Sequence, residues 1–400
     1  MKLNSDRKQI LIISQYFPPD ISGGGTRAYN YAQCLSEQNF DVTVITAYPH
    51  LHKKRTKEQN LTNDDEEKFS VIRVWIPSLL HSSIKNRILL HLGFILSSLK
   101  PIFLLKPDLI FASEPNLFSI IPAYFYSKIR GGKVIRVVDD LWPEVFYERK
   151  LVKTKILKII LNKLAKFSYD FPEYIIPLTE EAKLHISKLY KIDLKKIFVI
   201  THGIDTKIFD PLQPIQNNEF IVMYSGALVE SYDFELIIQA AIKLKNEKIK
   251  FIIRGKGELQ NFLKNKVKDL KLKNIIIDEE YVEQNKISSV LNKSDAFIVP
   301  LKNNYFLNLS LPTKILEFQA LGKPIICCSN GAPGKYIEFT KSGIVVPCGN
   351  VSKLVEAIKK LRDEEELCKK LGKNGRKFIK ENQTFLKIGE QLKNLISTLI

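Results

Sequence analysis

No stretch of the chain reaches about 18 uninterrupted apolar residues, the run that marks a membrane-spanning helix. The nearest, Ile88–Leu105, is broken by His91, Lys100 and Pro101. Low-complexity tracts and internal repeats are also missing, which sets aside repeat architectures and disordered tails. The five cysteines are odd in number, show no metal-ligand spacing, and include the adjacent pair Cys327 and Cys328. A reduced, intracellular chain is the simplest reading. The opening MKLNSDRKQI is polar and has no apolar core of a secretory leader, so a cytoplasmic location is expected. Asp-x-Asp does not occur, leaving a metal-held diphosphate without evident ligands, and there is no Walker A motif.

Against these absences stand 400 residues, 45% hydrophobic and 26% charged, enough for two large globular α/β domains. The net charge of +18 divides equally, +9 in residues 1–205 and +9 in 206–400, so neither half is a dedicated basic module. The clustering is local. Arg149–Lys166 holds seven cations and no acid, and Leu79–Pro107 holds four cations and no acid among many Leu, Ile and Phe. Basic patches of this kind lack interleaved stacking aromatics, so nucleic acid is not an expected partner.

Apolar runs of strand length alternate with stretches of helical period. KQILIISQYF, a Gly-rich turn, a helix with Ala28, Tyr31, Ala32 and Leu35 on one face, and FDVTVITAYP form a βαβ unit. Residues 84–105 read as helix interrupted at Pro101, and PDLIFAS, KVIRVVDD and YIIPLT read as strands. KIFVITHGID closes the first half, and 206–219, with two prolines and a polar cluster, reads as a linker. A second βα series follows, with final helices at 364–381 and 384–399. Near-continuous apolar strands imply parallel sheets covered on both faces, hence two doubly wound domains at 1–205 and 206–383, with 384–400 a terminal helix.

Ligands of open α/β sheets bind outside the carboxyl ends of the strands, and four segments lie there. Gly23-Gly24-Gly25 precedes a helix; it is either an anion site, with bare amides at a helix N-terminus, or a flexible helix start. Asp139 and Asp140, followed by Trp142-Pro143-Glu144, either bind sugar hydroxyls or supply a base, or merely cap a helix. The turn Arg254-Gly255-Lys256-Gly257 pairs two cations with two glycines, as an anion site or an ordinary βα turn. In Leu311-Pro312-Thr313-Lys314-Ile315-Leu316-Glu317, Lys314 and Glu317 share one helix face three residues apart. They are either a ligand pair or a surface ion pair.

Together, in this order and at these distances, the segments resemble glycosyltransferase family 4, of the GT-B fold, over nearly the whole chain. The Gly-rich start QYFPPDISGGGTRAYN, DDLWPEVF, the hinge-like THGIDTKIFDP with His202 in place of the usual Asn, and LPTKILEFQALGKPII carry the likeness. DDLWPEVF is similar to the Asp-Leu-Trp-Pro-Glu motif of a branch that includes N-acetylfucosamine-type transferases of surface polysaccharides.

The resemblance implies two facing Rossmann-like domains with a cleft between them, and a last helix returning to the first domain. It implies retaining transfer of a hexosyl or N-acetylhexosaminyl unit from a nucleotide-diphosphate sugar, UDP-linked by expectation, with no cofactor and no metal. Gly23–Gly25, Ser225, Gly226, Gly255, Lys256, Gly257, Thr313 and Glu317 would bind donor. Lys314, Arg254 and Asp140 would be catalytic, and Asp139, Trp142 and Glu144 would position acceptor or sugar. The acceptor would be a glycan or a polyprenyl-diphosphate-linked one, as in capsule or O-antigen synthesis. The basic and apolar stretches would rest on an anionic membrane surface, or else be a buried helix and a solvated one. Three departures stand out: Leu309 where the family has the first Glu of Glu-x7-Glu, Ala227 and Asp233 where it often has Arg and Lys, and Asp140 where many members have His. Two other readings remain open, a nucleotide-sugar 2-epimerase of similar architecture and a transferase-like scaffold without turnover.

Overall fold

A computed structural model describes residues 7–20, 23–49, 68–77, 84–113, 117–148, 152, 154–212, 218–280, 282–283 and 286–400. Part of the expected linker (213–217) and Arg149, Lys150 and Lys153 of the basic stretch lie outside these residues, as do 79–83. The chain divides into two compact units, Met1–Gly203 with Phe385–Ile400, and Ile204–Thr384.

The first unit runs β1 (Gln9–Ile13), α1 (Gly23–Ser36), β2 (Asp41–Ala47), β3 (Ser70–Val74), α2 (Ile84–Leu105) and β4 (Leu109–Ala112). It continues with α3 (Ile120–Arg130), β5 (Lys133–Val137), α4 (Glu144–Glu148), α5 (Lys155–Asp170), β6 (Tyr174–Ile176) and α6 (Glu180–Tyr190). The six strands are all parallel, in the order β3-β2-β1-β4-β5-β6. Successive side chains of a strand point to opposite faces. Ile10 and Ile12 of β1 therefore enter one core with α1, while Leu11 and Ile13 enter another with α2 and α3. Both faces are covered, which is why the strands read as unbroken apolar runs.

One expectation changes. Helix α2 passes through Pro101 without interruption. The proline withholds one amide from the ladder, costing about 3 kcal/mol, and burial of Leu90, Phe94 and Ile102 offsets it. The run KIFVITHGID adds no seventh strand: Ile197 makes a single bridge to Ile175.

The second unit contains β7 (Phe220–Ser225), α7 (Phe234–Lys243), β8 (Ile249–Arg254), α8 (Gln260–Asp269), β9 (Ile275–Asp278), α9 (Ile287–Leu291) and β10 (Ala296–Pro300). It ends with α10 (Thr313–Ala320), β11 (Ile325–Cys328), α11 (Ala332–Thr340), β12 (Gly343–Val346), α12 (Val351–Asp363) and α13 (Glu365–Asn382). Its parallel order, β12-β11-β10-β7-β8-β9, repeats the first sheet's connectivity. In each sheet the chain reverses its direction of travel beside the first strand, at β1/β4 and at β7/β10. A crevice at the carboxyl ends is built in at both places.

The last helix, α14 (Phe385–Ile396), belongs to the first unit. Its Ile388, Leu392 and Ile396 join Ala28, Ala32 and Leu35 of α1 in one core.

Candidate functional site

In the second unit, β7 ends at Ser225 and the chain turns at Gly226, which has φ +143°. Only glycine is at ease there. Gly255, at φ +142°, ends β8 beside it, and a Cβ on Gly255 would collide with the Gly226 carbonyl. Gly257 is likewise pressed against Leu228. The glycines of the second turn thus let two strand ends pack, a requirement that exists before any ligand. Lys256 is exposed. Arg254 is buried, paired with the Asp278 carboxylate, and donates to the Glu280 carbonyl at 2.6 Å. Its charge is answered inside the unit, so the structure makes Arg254 a clamp between β8 and the end of β9.

Lys314 projects from the first turn of α10. Its ammonium donates to the Tyr224 hydroxyl at 2.8 Å and lies over the rings of Tyr224 and Tyr232, 4.1 and 3.9 Å from their centroids. Tyr224 in turn donates to the Ala227 carbonyl at 2.6 Å. A Cβ on Gly226 would strike the Lys314 ammonium, so bare backbone and cation face each other at the strand end. Thr313 opens α10 behind Pro312, which stands at the N-cap and offers no side-chain acceptor to the first amides. Those amides and the ammonium form one positive locus.

Lys314 and Glu317 retain some solvent exposure yet are surrounded by protein at longer range. The longer-range surroundings govern their charge. Burial pulls the Lys314 pKa down to about 7, against the opposing field of Glu317. Burial also pushes Glu317 up to about 7, against Lys314. Among the described residues the Glu317 carboxylate has no hydrogen-bond partner. A lysine and a carboxylate this poorly solvated each gain from a polar ligand.

Two of the departing positions have structural places of their own. Asp233 caps α7, accepting from the Leu236 amide at 3.1 Å. Leu309 ends a short 3-10 turn, Leu307–Leu309, that packs on Gly331 at the head of α11.

In the first unit, Gly23–Gly25 are not a loop ahead of the helix; they are the first turn of α1 itself. Amides in the first turn of a helix point toward its N-terminal end. Two residues on, Arg27 is fully buried. It donates to Val138 O (2.9 Å), Asp139 Oδ1 (2.7 Å), Tyr31 Oη (2.8 Å), Ile176 O (3.2 Å) and Ile200 O (2.7 Å). This guanidinium ties α1 to the ends of β5 and β6. Asp139, expected to position a ligand, serves as its counterion through Oδ1, and among the described residues its buried Oδ2 has no partner, while Asp140 stays exposed at the same bend.

Trp142 packs on Phe146 at 4.3 Å between ring centroids. Glu144 is buried and accepts from the Tyr190 hydroxyl. Among the described residues its Oε2 and Trp142 Nε1 are buried without a partner, an arrangement that costs about 1–3 kcal/mol per group unless something fills it. His202 is buried beside Arg27, and burial first, then Arg27, lowers its pKa to about 3. A neutral ring stands where the hinge-like motif usually has Asn.

The structure thus places all four sequence-selected segments at the carboxyl ends of the two sheets. Sequence reasoning missed Tyr224, Tyr232 and Tyr190. Tyr224 carried a faint signal, a hydroxyl one residue before the Ser-Gly turn at the end of an otherwise apolar strand.

Comparison with known proteins agrees with this geometry. A family model for Glycosyltransferase Family 4 matches residues 21–208, and one for Glycosyl transferases group 1 matches 205–378. The chain is therefore a glycosyltransferase of the family 4 type, with one characteristic domain in each half. A UDP-Gal:alpha-D-GlcNAc-diphosphoundecaprenol alpha-1,3-galactosyltransferase of Escherichia coli is 26% identical over 62% of this chain and 66% of its own length. An uncharacterized glycosyltransferase of Methanocaldococcus jannaschii is 21% identical over 98% of this chain and 99% of its own. Among solved structures, sucrose-phosphate synthase from Thermosynechococcus elongatus superposes with a TM-score of 0.79 at 14% identity, covering 98% and 99% of the two chains. The likeness in structure establishes the GT-B fold.

Proposed function

We propose that this protein moves a hexosyl or N-acetylhexosaminyl unit, with retention, from a UDP-linked sugar to a polyprenyl-diphosphate-linked glycan in surface polysaccharide synthesis. The carrying observation is the Lys314 ammonium held against Gly226 at the carboxyl end of β7, beside the uncapped start of α10. The E. coli relative, whose name specifies a UDP-sugar and a diphosphoundecaprenol acceptor, supports the choice of donor and acceptor class.

In this reading the diphosphate takes the place of water at the Lys314 ammonium and at the amides around Gly226 and Thr313. Negative charge grows on the leaving diphosphate as the glycosidic bond breaks. A cation already in place stabilises that charge more than it stabilises the ground state. No metal is called on. Glu317 accepts from the ribose hydroxyls, which give its carboxylate the partners it lacks. In the first unit, the amides of Gly23–Gly25 bind an anionic group of the substrates. Asp140, exposed at the end of β5, positions the incoming hydroxyl. Trp142 Nε1 and Glu144 Oε2 bind sugar hydroxyls.

The test is nucleotide release from a panel of nucleotide sugars in the presence of a polyprenyl-diphosphate glycan. Lys314→Ala and Glu317→Ala are expected to lower kcat/KM by at least ~100-fold, the range for removing one preorganised electrostatic group. Near-normal turnover in both variants would sink the assignment, and no release from any donor would favour the scaffold.

A further inference from the structure

Three helices on one side of the first unit carry apolar side chains on the face turned away from the sheet. On α2, Leu90, Phe94 and Ile102 point into the core, while Leu92, Leu96 and Leu104 point out, the last two 68% and 70% exposed. On α5, Leu161 and Ala165 are buried and Ile156, Ile159 and Ile160 are exposed, Ile156 at 72%. Between them α3 exposes Phe125 and Ile129. Aromatic contacts make the three helices one layer. Phe103 of α2 meets Tyr126 of α3 at 5.5 Å, and Tyr124 of α3 meets Phe167 of α5 at 4.9 Å.

A solvated helix ordinarily turns polar residues outward. Here the outward face is mostly leucine and isoleucine, and most of the charged residues among them are cations. Helices α2, α3 and α5 together hold nine Lys and Arg and one acid, Asp170, which is itself paired with Lys166 at 2.7 Å. Scattered exposed apolar residues need no explanation, but a contiguous set on three adjacent helices does. No helix among the described residues is long and apolar enough to cross a membrane.

We infer that the outer face of α2, α3 and α5 docks flat on an anionic lipid surface, its leucines and isoleucines entering the headgroup boundary and its lysines meeting lipid phosphate. Charge complementarity selects this occupant. A second copy of the chain would bring the same cations against each other, which is unfavourable. Apolar residues with lysines on a helix lying in the interface plane are the composition such a surface binds.

Vesicle flotation of the full-length protein tests this without donor or acceptor, so its outcome is independent of the transfer reaction. Binding is expected to vesicles containing phosphatidylglycerol at low salt, and to be at least ~10-fold weaker to phosphatidylcholine alone or at high salt. Lys155→Gln with Lys163→Gln should weaken it about 25-fold, roughly fivefold per lysine. Leu96→Glu with Ile156→Glu should abolish it. All four positions are exposed, and an unchanged melting curve shows that the fold survives. Absence of binding to the anionic vesicles overturns the inference, as does equal binding by these variants. A wild-type dimer that the glutamate variant converts to monomer, without vesicle binding, would assign the face to self-association instead.

Discussion

Lys314 and Glu317 set the pH behaviour of the site. Burial lowers the lysine from 10.5 to about 7. The unfolded chain therefore binds the extra proton between pH 7 and 10.5, and this residue's contribution to stability rises with pH across that window. Glu317 is raised from 4.5 to about 7. Here the folded chain binds the extra proton, and its contribution falls as pH rises from 4.5 to 7. Both effects place the greatest strain near neutrality. Lys314→Met with Glu317→Leu is accordingly expected to unfold about 1–4 kcal/mol less readily than the parent near pH 7. The gain should shrink toward pH 10, as chemical denaturation across pH would read. In the proposed reading such a pair is kept for the ligand it binds, at a cost in stability. Arg27 is the opposite case: a buried charge with five hydrogen bonds, positioning backbone rather than substrate.

Among the elements, the two strand ends at Gly226 and Gly255 matter most. Gly255 needs glycine twice over, for its φ of +142° and for the space taken by the Gly226 carbonyl. Gly255→Ala is expected to cost about 3 kcal/mol from backbone strain and overpacking together. Gly349 provides the control: its φ is +72°, but nothing lies within 4 Å of a Cβ there. Gly349→Ala should cost only about 1 kcal/mol. Equal costs for the two, measured by denaturant unfolding, would mean that the packing of β7 on β8 is not tight. The four chemical segments were legible in the sequence because glycine, proline and charge at a strand end break an apolar pattern visibly. The Tyr224–Lys314 contact was not, since its partners lie 90 residues apart and only the pairing of β7 with β10 brings them together.

For the whole molecule, each unit has its own sheet and core, so a ligand need not stabilise both alike. In the proposed reading, a nucleoside diphosphate at 100 times its Kd adds about 2.7 kcal/mol to the unfolding free energy of the unit that binds it. Hydrogen exchange should then show added protection at Ser225–Leu228 and in the first turn of α10. Protection confined to surfaces away from these strand ends would place the nucleotide elsewhere. A screen of UDP, GDP, dTDP and CDP sugars by the same readout ranks the bases.

Alternating apolar runs and helical periods were sufficient for two doubly wound α/β halves, because burial on both faces of a parallel sheet leaves its mark on every strand. They also located the segments at the carboxyl ends. Folding alone assigned Asp139 to Arg27, Arg254 to Asp278 and Lys314 to two tyrosines. Those pairings depend on which strands and helices become neighbours across long stretches of chain. The same holds for the outer face of α2, α3 and α5: each helix shows its own apolar stripe in sequence, but only packing reveals which stripe the sheet covers and which it leaves exposed.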